Sequence, residues 1–149
     1  MASTTSTPST GPELLTERSI GGILVHLLSL FTGIIGDGII YLISNNEFTR
    51  ANARNALNWH VSVLALTIIA ILVFIPGADE LTIGGEVMEW SLLPSPLGSV
   101  FTFIGILLLL LVMLTWLLTL IFALIATIKA ISGTAWKYPL AREFVERYT

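Results

Sequence analysis

Two ionisable side chains lie inside a long apolar segment and are the first candidates for chemistry in this chain. His26 and Asp37 both fall between Ile20 and Ile43, a stretch made mostly of isoleucine, leucine and glycine. Ionisable groups within a membrane are costly, and they face protein or water rather than lipid. On a straight helix, their eleven-residue separation places them about 20° apart around the axis. The spacing predicts one polar face on the first helix.

The same face of this helix carries small residues, and the next helix offers polar partners. Small residues let a neighbouring helix approach closely, so we expect a helix-packing face here. Its residues are Gly22, Ser29 and Gly33. The next apolar helix begins with a polar stripe that includes Arg54 and Asn58. We predict that Asp37 pairs with Arg54, Asn58 or both as a buried clamp, with His26 bonding a neighbouring helix. The alternatives are a role in proton or solute movement, or a carboxylate that faces headgroup water.

Several kinds of catalytic site are excluded by what the sequence lacks. The chain has no cysteine, which excludes disulfides, iron–sulfur clusters and thiol nucleophiles. Asp37 is the one acidic residue in any predicted span, whereas an intramembrane aspartyl protease needs two. His26 and His60 would differ by about 15 Å in membrane depth, too far to share a haem iron. We therefore predict no catalytic residue, no metal site and no cofactor, and a protein that is not an enzyme.

Composition identifies the solvent of the folded chain as lipid. Hydrophobic residues make up 54% of the 149 residues and charged residues only 11%, with a mean hydropathy of +0.87. Soluble domains carry about 25% charged residues. The formal net charge of −3 gives no reason to expect a nucleic-acid partner. We predict an all-α polytopic integral membrane protein, with the bilayer as its partner and transmembrane helices at about 20–43, 56–75 and 100–128.

The remaining segments are shorter and more polar. Residues 1–16, rich in serine, threonine and proline, predict a disordered tail before a single membrane domain at 17–149. The loop at 76–97 is acidic, and the spacing of Val87, Trp90 and Leu93 indicates a short interfacial helix. In the tail at 129–149, Leu140, Phe144 and Tyr148 recur every four residues, which predicts a short interfacial C-terminal helix.

Basic residues predict the orientation in the membrane. With three spans, the first loop and the C-terminal tail share one side and carry six basic residues, while Arg18 stands alone on the other side. Because basic segments stay cytoplasmic, the first loop and the C-terminus should be cytoplasmic, and the N-terminus and acidic loop external. We expect a multi-pass protein of the cell membrane.

Three local patterns resemble a known family. They are His26 early in the first span, the run Ala56-Leu57-Asn58-Trp59, and the ending Lys129-Ala130-Ile131-Ser132-Gly133 with Tyr138-Pro139. Together they resemble a small prokaryotic membrane domain of unknown function that is grouped with the import component of the chloroplast inner envelope. The acidic loop is similar to a haloarchaeal version. The resemblance implies a polytopic helical membrane protein and no established activity.

Two functional hypotheses follow from these observations. The first is a non-enzymatic membrane protein that acts through helix–helix association, as a homo-oligomer or with another membrane protein. The second is an oligomeric channel or transporter subunit for ions or small solutes that uses Asp37 and His26. Three spans are too few to enclose a pathway in a monomer, so the second hypothesis requires oligomers.

Overall fold

The computed structural model describes residues 18–90 and 92–146, apart from the side chain of residue 81. Its elements, in chain order, are α1 (Ile20–Ile43), α2 (Glu47–Gly77), β1 (Glu80–Ile83), β2 (Glu86–Glu89) and α3 (Leu97–Ile131). All three helices are long and apolar enough to cross a membrane. The prediction of a mostly helical, multi-pass membrane protein is confirmed. The predicted tail at 1–16 lies outside the described residues.

The chain divides into two compact units. The first unit holds the chain up to Trp59 and from Phe122 onward, and the second holds His60–Ile121. In the second unit α2 and α3 pack closely, because Gly105 of α3 has no side chain to hold it away from the backbone of Phe74. The Thr102 hydroxyl donates a hydrogen bond to the Gly77 carbonyl at the end of α2. The indole Nε1 of Trp90 donates to the Ile75 carbonyl at 3.2 Å.

The first helix is interrupted in its middle. Gly33 has φ 53° and ψ −142°, a backbone conformation that is open almost only to glycine. The Ser29 hydroxyl donates a hydrogen bond to the Asp37 carboxylate, although eight residues separate them. On a straight helix these residues would be separated by about 12 Å along the axis, beyond the reach of their side chains. The chain therefore reverses at Gly33 into a first arm (20–32) and a second arm (34–43).

The ends of the two arms meet near the start of α2. Ser19, the N-cap of α1, places its Oγ 2.5 Å from Oγ1 of Thr49 in the first turns of α2. Residues 44–46 alone connect α1 to α2, and Arg50 and Arg54 lie on α2 rather than in the predicted first loop. A straight α1 of 24 residues would span about 36 Å, which so short a connection could not recross.

The acidic loop is a β-hairpin, and the interfacial helix predicted there is wrong. Strands β1 and β2 pair antiparallel, with Glu80 opposite Glu89 and Ile83 opposite Glu86. Gly84 and Gly85 form the two-residue turn with φ values of 64° and 90°, as a type I′ turn requires. The spacing of apolar residues indicated a helix, but the glycine pair favours a turn and the short flanking runs pair as strands.

The predicted interfacial C-terminal helix is also absent from the described tail. Residues 132–146 contain turns, a bend and irregular backbone, and Tyr148 lies beyond the described residues. Gly133 ends α3 with φ 80°, and the Thr134 amide donates to the Lys129 carbonyl in a glycine C-cap. Pro139 follows and disfavours a new helix at once. The tail is instead held by side chains of α2.

Candidate functional site

A buried hydrogen-bond network joins α1, α2 and the tail within the first unit. His26 on the first arm is fully buried, and its Nε2 lies 2.8 Å from Oδ1 of Asn52 on α2. Its Nδ1 lies 3.0 Å from the hydroxyl of Tyr138 in the tail. The Asn52 amide nitrogen donates to the Phe48 carbonyl at 2.9 Å, which turns Oδ1 towards His26. One imidazole therefore connects three segments that are distant in sequence.

The hydrogen-bonding pattern defines the role of each group around this imidazole. An amide oxygen only accepts, so Nε2 of His26 carries the hydrogen in its bond to Asn52. Burial raises the pKa of the Tyr138 hydroxyl well above its usual value, and the negative charge of Asp37 raises it further. The phenol therefore keeps its proton and can donate a hydrogen bond to Nδ1. A neutral imidazole with its hydrogen on Nε2 satisfies the hydrogen bonds to Asn52 and Tyr138 at the same time.

Asp37 is equally buried and lies on the second arm. Its exposed fraction is 0%, and that of Ser29, which donates to its carboxylate, is 2%. The Ser29 hydroxyl also lies 2.6 Å from the Val25 carbonyl. Ser29 and Asp37 each stand four positions from Gly33, so the chain reversal brings them together. Val25 and Tyr41, each eight positions from Gly33, share a buried cluster with Ala53 of α2 in the same way.

Asn58, a predicted partner of Asp37, holds the tail. Its Oδ1 accepts hydrogen bonds from the amides of Phe144 and Val145 at 3.0 and 2.8 Å. Its amide nitrogen donates to the Val145 carbonyl at 3.2 Å. One carboxamide thus bonds three backbone groups at a bend in the tail. Arg54 lies one turn earlier on α2 and is buried with Asn58. The pairing of Asp37 with Arg54 or Asn58 stays a prediction.

A second asparagine and a small cavity complete the contact between α2 and the tail. The Asn55 amide nitrogen donates to the Trp136 carbonyl at 3.1 Å. Beside it lies a cavity of about 100 Å³, lined by Asn55, Asn58, Lys137, Tyr138, Ala141 and Glu143. Lys137 donates to the Glu143 carboxylate at 2.7 Å. This hydrogen bond and the lysine charge lower the pKa of the Glu143 carboxyl, and the charge of Arg54 lowers it further.

An aromatic cluster packs the tail onto the helices of the first unit. The rings of Trp59 and Tyr138 stack at 5.8 Å with an interplanar angle of 16°. Phe122 of α3 meets the ring of Trp59 edge-on at 5.0 Å, and Trp136 meets Phe122 at 5.8 Å. Aromatic pairs at such distances contribute about 0.5–1.5 kcal/mol beyond the area that they bury. The tail is therefore fixed by packing as well as by hydrogen bonds.

The predicted packing face of α1 is used within the chain. A side chain on Gly22 would meet the ring of Phe48, which is 1% exposed. Ser29 is occupied by Asp37, whereas a side chain on Gly33 would meet nothing within 4 Å. The sequence prediction missed Asn52, Asn55 and Tyr138. A signal was present in α2, where asparagine recurs every third residue at positions 52, 55 and 58.

The network can position the segments that it joins and hold protons on its buried groups. No group of three or more histidine, cysteine, aspartate or glutamate side chains within 18–90 and 92–146 could hold a metal ion. The buried donors and acceptors of the network bond to one another. In hydrocarbon, where water does not compete, such bonds fix the arrangement of the segments that they join.

Comparison with known proteins identifies the family. No curated protein and no solved structure matches the chain. The model of the MamF/MmsF family, described as the magnetosome magnetite crystal formation protein family, matches residues 17–145. The resemblance to the membrane domain grouped with the chloroplast import component is therefore wrong. It rested on three short motifs, whereas the family model matches residues 17–145 as a whole. Since the match covers most of the 149 residues, the chain belongs to the magnetosome magnetite crystal formation protein family.

Proposed function

We propose that this chain is a non-enzymatic component of the magnetosome membrane that supports magnetite crystal formation by associating with itself or with another membrane protein. The family description supports the place and the process. One observation supports the manner of action: both ionisable groups inside α1 are fully buried and hydrogen-bonded to other side chains of the same chain. Groups that line a path for ions need access to water.

The burial of these groups also decides which surface remains for a partner. Because Gly22 and Ser29 contact other residues of this chain, the small-residue face of α1 is not available to a second protein. Association therefore uses the outer surfaces of α2 and α3. Large apolar side chains are exposed along the whole of α3 and between residues 64 and 72 of α2. The buried network keeps the first unit in one conformation, and its outer surface is then constant.

The proposal is tested by comparing flux with assembly. Wild type and Asp37→Asn are reconstituted in liposomes, and the movement of protons and of ferrous ions is followed with enclosed dyes. We expect no flux above that of empty liposomes for either protein, and a crosslinked oligomer or partner complex in native membranes. A flux in wild type that disappears in Asp37→Asn would instead establish the channel hypothesis.

The cellular role needs a separate assay. In a magnetite-forming host from which the corresponding gene is deleted, the wild-type chain should restore the size and number of crystals seen by electron microscopy. Asp37→Asn retains an oxygen that can accept the Ser29 hydrogen bond. We therefore expect this variant to restore crystals to the extent that it accumulates in the membrane. Normal accumulation with loss of all crystals would contradict a structural role.

A further inference from the structure

We propose that α1 does not cross the bilayer but is a re-entrant helical hairpin, which enters and leaves on the same side and occupies a single lipid leaflet. In this placement lipid contacts the outer surface of α1, and the placement does not depend on the proposed role in crystal formation.

The reversal at Gly33 is supported by contacts at three levels. Nearest the turn, Ser29 bonds Asp37. In the middle of the arms, Val25 and Tyr41 share one buried cluster. At the open end, Ser19 bonds Thr49 just after the connection from the second arm. A helix that crossed the membrane would keep its two ends about 30 Å apart.

The N-terminal end of α1 also contacts the end of the last helix. The guanidinium Nη1 of Arg18 donates a hydrogen bond of 2.6 Å to the Ile131 carbonyl, which ends α3. Both residues belong to the first unit. With three full spans, the start of the first helix and the end of the third lie on opposite sides of the bilayer. A hydrogen bond between them requires that α1 return to the side from which it starts.

The length of the arms fits one leaflet. The first arm has thirteen residues and the second ten, so they are about 20 Å and 15 Å long. Half of the hydrocarbon core is about 15 Å thick, and a crossing helix needs about 20 residues. Neither arm is long enough to span, and both are long enough to reach the middle of the bilayer.

The outer surface of the hairpin has the chemistry of a lipid contact. Apolar residues repeat along both arms every three or four positions and are exposed by 43–89%, namely Ile20, Leu24, Leu28, Phe31, Ile35, Ile39 and Leu42. At the turn, Phe31 and Ile35 are exposed by 89% and 75%. The polar residues of α1 point inward instead, where His26 and Asp37 are fully buried. Acyl chains of one leaflet are the occupant that this surface fits.

Polar residues lie where the hairpin meets the headgroups. Its open end is flanked by Arg18 and Ser19 before the first arm and by Ser44, Asn45 and Asn46 after the second. Arg50 on the first turns of α2 lies over the ring of Tyr41, with 5.4 Å from Cζ to the ring centroid. Arginine and tyrosine together are typical of the membrane–water interface. The arrangement fits a hairpin whose open end lies among the headgroups and whose turn lies in the hydrocarbon.

The charge distribution becomes simpler with a re-entrant α1. Arg18 then joins the side that carries Arg50, Arg54 and the basic tail, so all seven lysine and arginine residues lie on one side. The segment between α2 and α3 has four acidic residues and no basic one. The positive-inside rule then has no exception, and it places both chain termini in the cytoplasm. Three spans would leave Arg18 on the wrong side.

The fold of the arms is tested by a distance between two spin labels in liposomes. The chain has no cysteine, so labels attach only where cysteine is introduced. Ile20→Cys with Leu42→Cys uses two exposed positions, 22 residues apart. We expect a label distance below about 20 Å, against about 33 Å for a straight helix. The matched control is Val100→Cys with Ile121→Cys on α3, exposed positions 21 residues apart, which should give about 32 Å. Equal distances for the two pairs would overturn the proposal.

The side of the N-terminus is tested by labelling single cysteines with a membrane-impermeant maleimide in right-side-out and inverted membrane vesicles. Ser3→Cys reports the side of the N-terminus, and Ser132→Cys reports the side of the end of α3. Glu86→Cys reports the side of the β-hairpin between α2 and α3. We expect Ser3→Cys and Ser132→Cys to react in inverted vesicles and Glu86→Cys in right-side-out vesicles. Reaction of Ser3→Cys together with Glu86→Cys would establish a full crossing by α1 and overturn the proposal.

Discussion

Replacing Gly33 by alanine tests the chain reversal through the sign of a stability change. A side chain at Gly33 would meet no heavy atom within 4 Å, so a clash contributes nothing. The cost comes from the backbone, because φ 53° with ψ −142° is a conformation that residues with a Cβ adopt only under strain. Such strain costs about 1–3 kcal/mol. We therefore expect Gly33→Ala to lower the free energy of unfolding by about 1–3 kcal/mol.

Gly38 provides the matched control on the same helix. A side chain there would also meet nothing within 4 Å, but Gly38 is not among the residues with positive φ. Alanine loses less conformational entropy than glycine when a helix forms, so Gly38→Ala should stabilise by about 0.5–1 kcal/mol. The two substitutions add the same methyl group five residues apart and should change stability in opposite directions.

The assay is unfolding of both variants and of wild type in mild detergent, followed by far-ultraviolet circular dichroism. Spin-label distances between the arms should stay short in Gly38→Ala. If α1 were a straight helix, Gly33→Ala would relieve the same entropic cost as Gly38→Ala, and both variants would gain stability. Equal stabilisation of the two variants would therefore refute the reversal at Gly33.

Three further substitutions address the contacts around the buried network. Gly22→Ala should destabilise by about 1–3 kcal/mol because its methyl group meets the buried ring of Phe48, whereas Gly21→Ala, whose nearest contact would be 3.5 Å, should leave the melting temperature of the detergent-solubilised protein nearly unchanged. Asn58→Leu removes three hydrogen bonds to the tail and should destabilise by about 2–4 kcal/mol, with faster proteolysis of the tail as the readout. The raised pKa of Tyr138 means that the unfolded phenol loses its proton first, so stability should be complete below pH 10.0 and fall as the pH rises above it. Tyr138→Phe should have a smaller alkaline loss in melting temperature, and an unchanged slope with pH would contradict the burial of a protonated phenol.

The helices could be predicted from the sequence because lipid imposes a strong and simple constraint. Apolar stretches of about 20 residues satisfy their backbone internally only as helices, which predicts both ends of α3 and the C-terminal end of α2 within three residues. The start of α2 lies nine residues before the predicted start, because its polar first turns carry no hydropathy signal. The reversal in α1 could not be predicted in this way, since hydropathy is the same for a straight and a folded helix. Glycine is also common in membrane helices, so Gly33 alone is a weak signal.

The candidate site was predicted in part for a similar reason. His26 and Asp37 could be identified because ionisable residues are rare in apolar segments. Their partners depend on long-range contacts, such as the 112 residues between His26 and Tyr138, which no local pattern encodes. The face assigned to His26 and Asp37 assumed a straight helix. Both are buried, but each arm turns its own polar side inward. Which residues of the two arms meet is decided by their distance in sequence from Gly33.

The buried network and the re-entrant hairpin depend on each other. A turn placed in hydrocarbon exposes backbone groups that lipid cannot satisfy, so a reversal inside the membrane survives only if protein packs around it. The polar side chains of α1 provide this packing: Ser29 ties the arms together next to the turn, and His26 ties the first arm to Asn52 of α2. In a straight span, Asp37 would cost up to about 3 kcal/mol with no role in shaping the helix. In the hairpin, the same carboxylate lies four residues from the turn and accepts a hydrogen bond from Ser29 on the opposite arm. This polar contact stabilises the reversal, which apolar side chains alone would not fix.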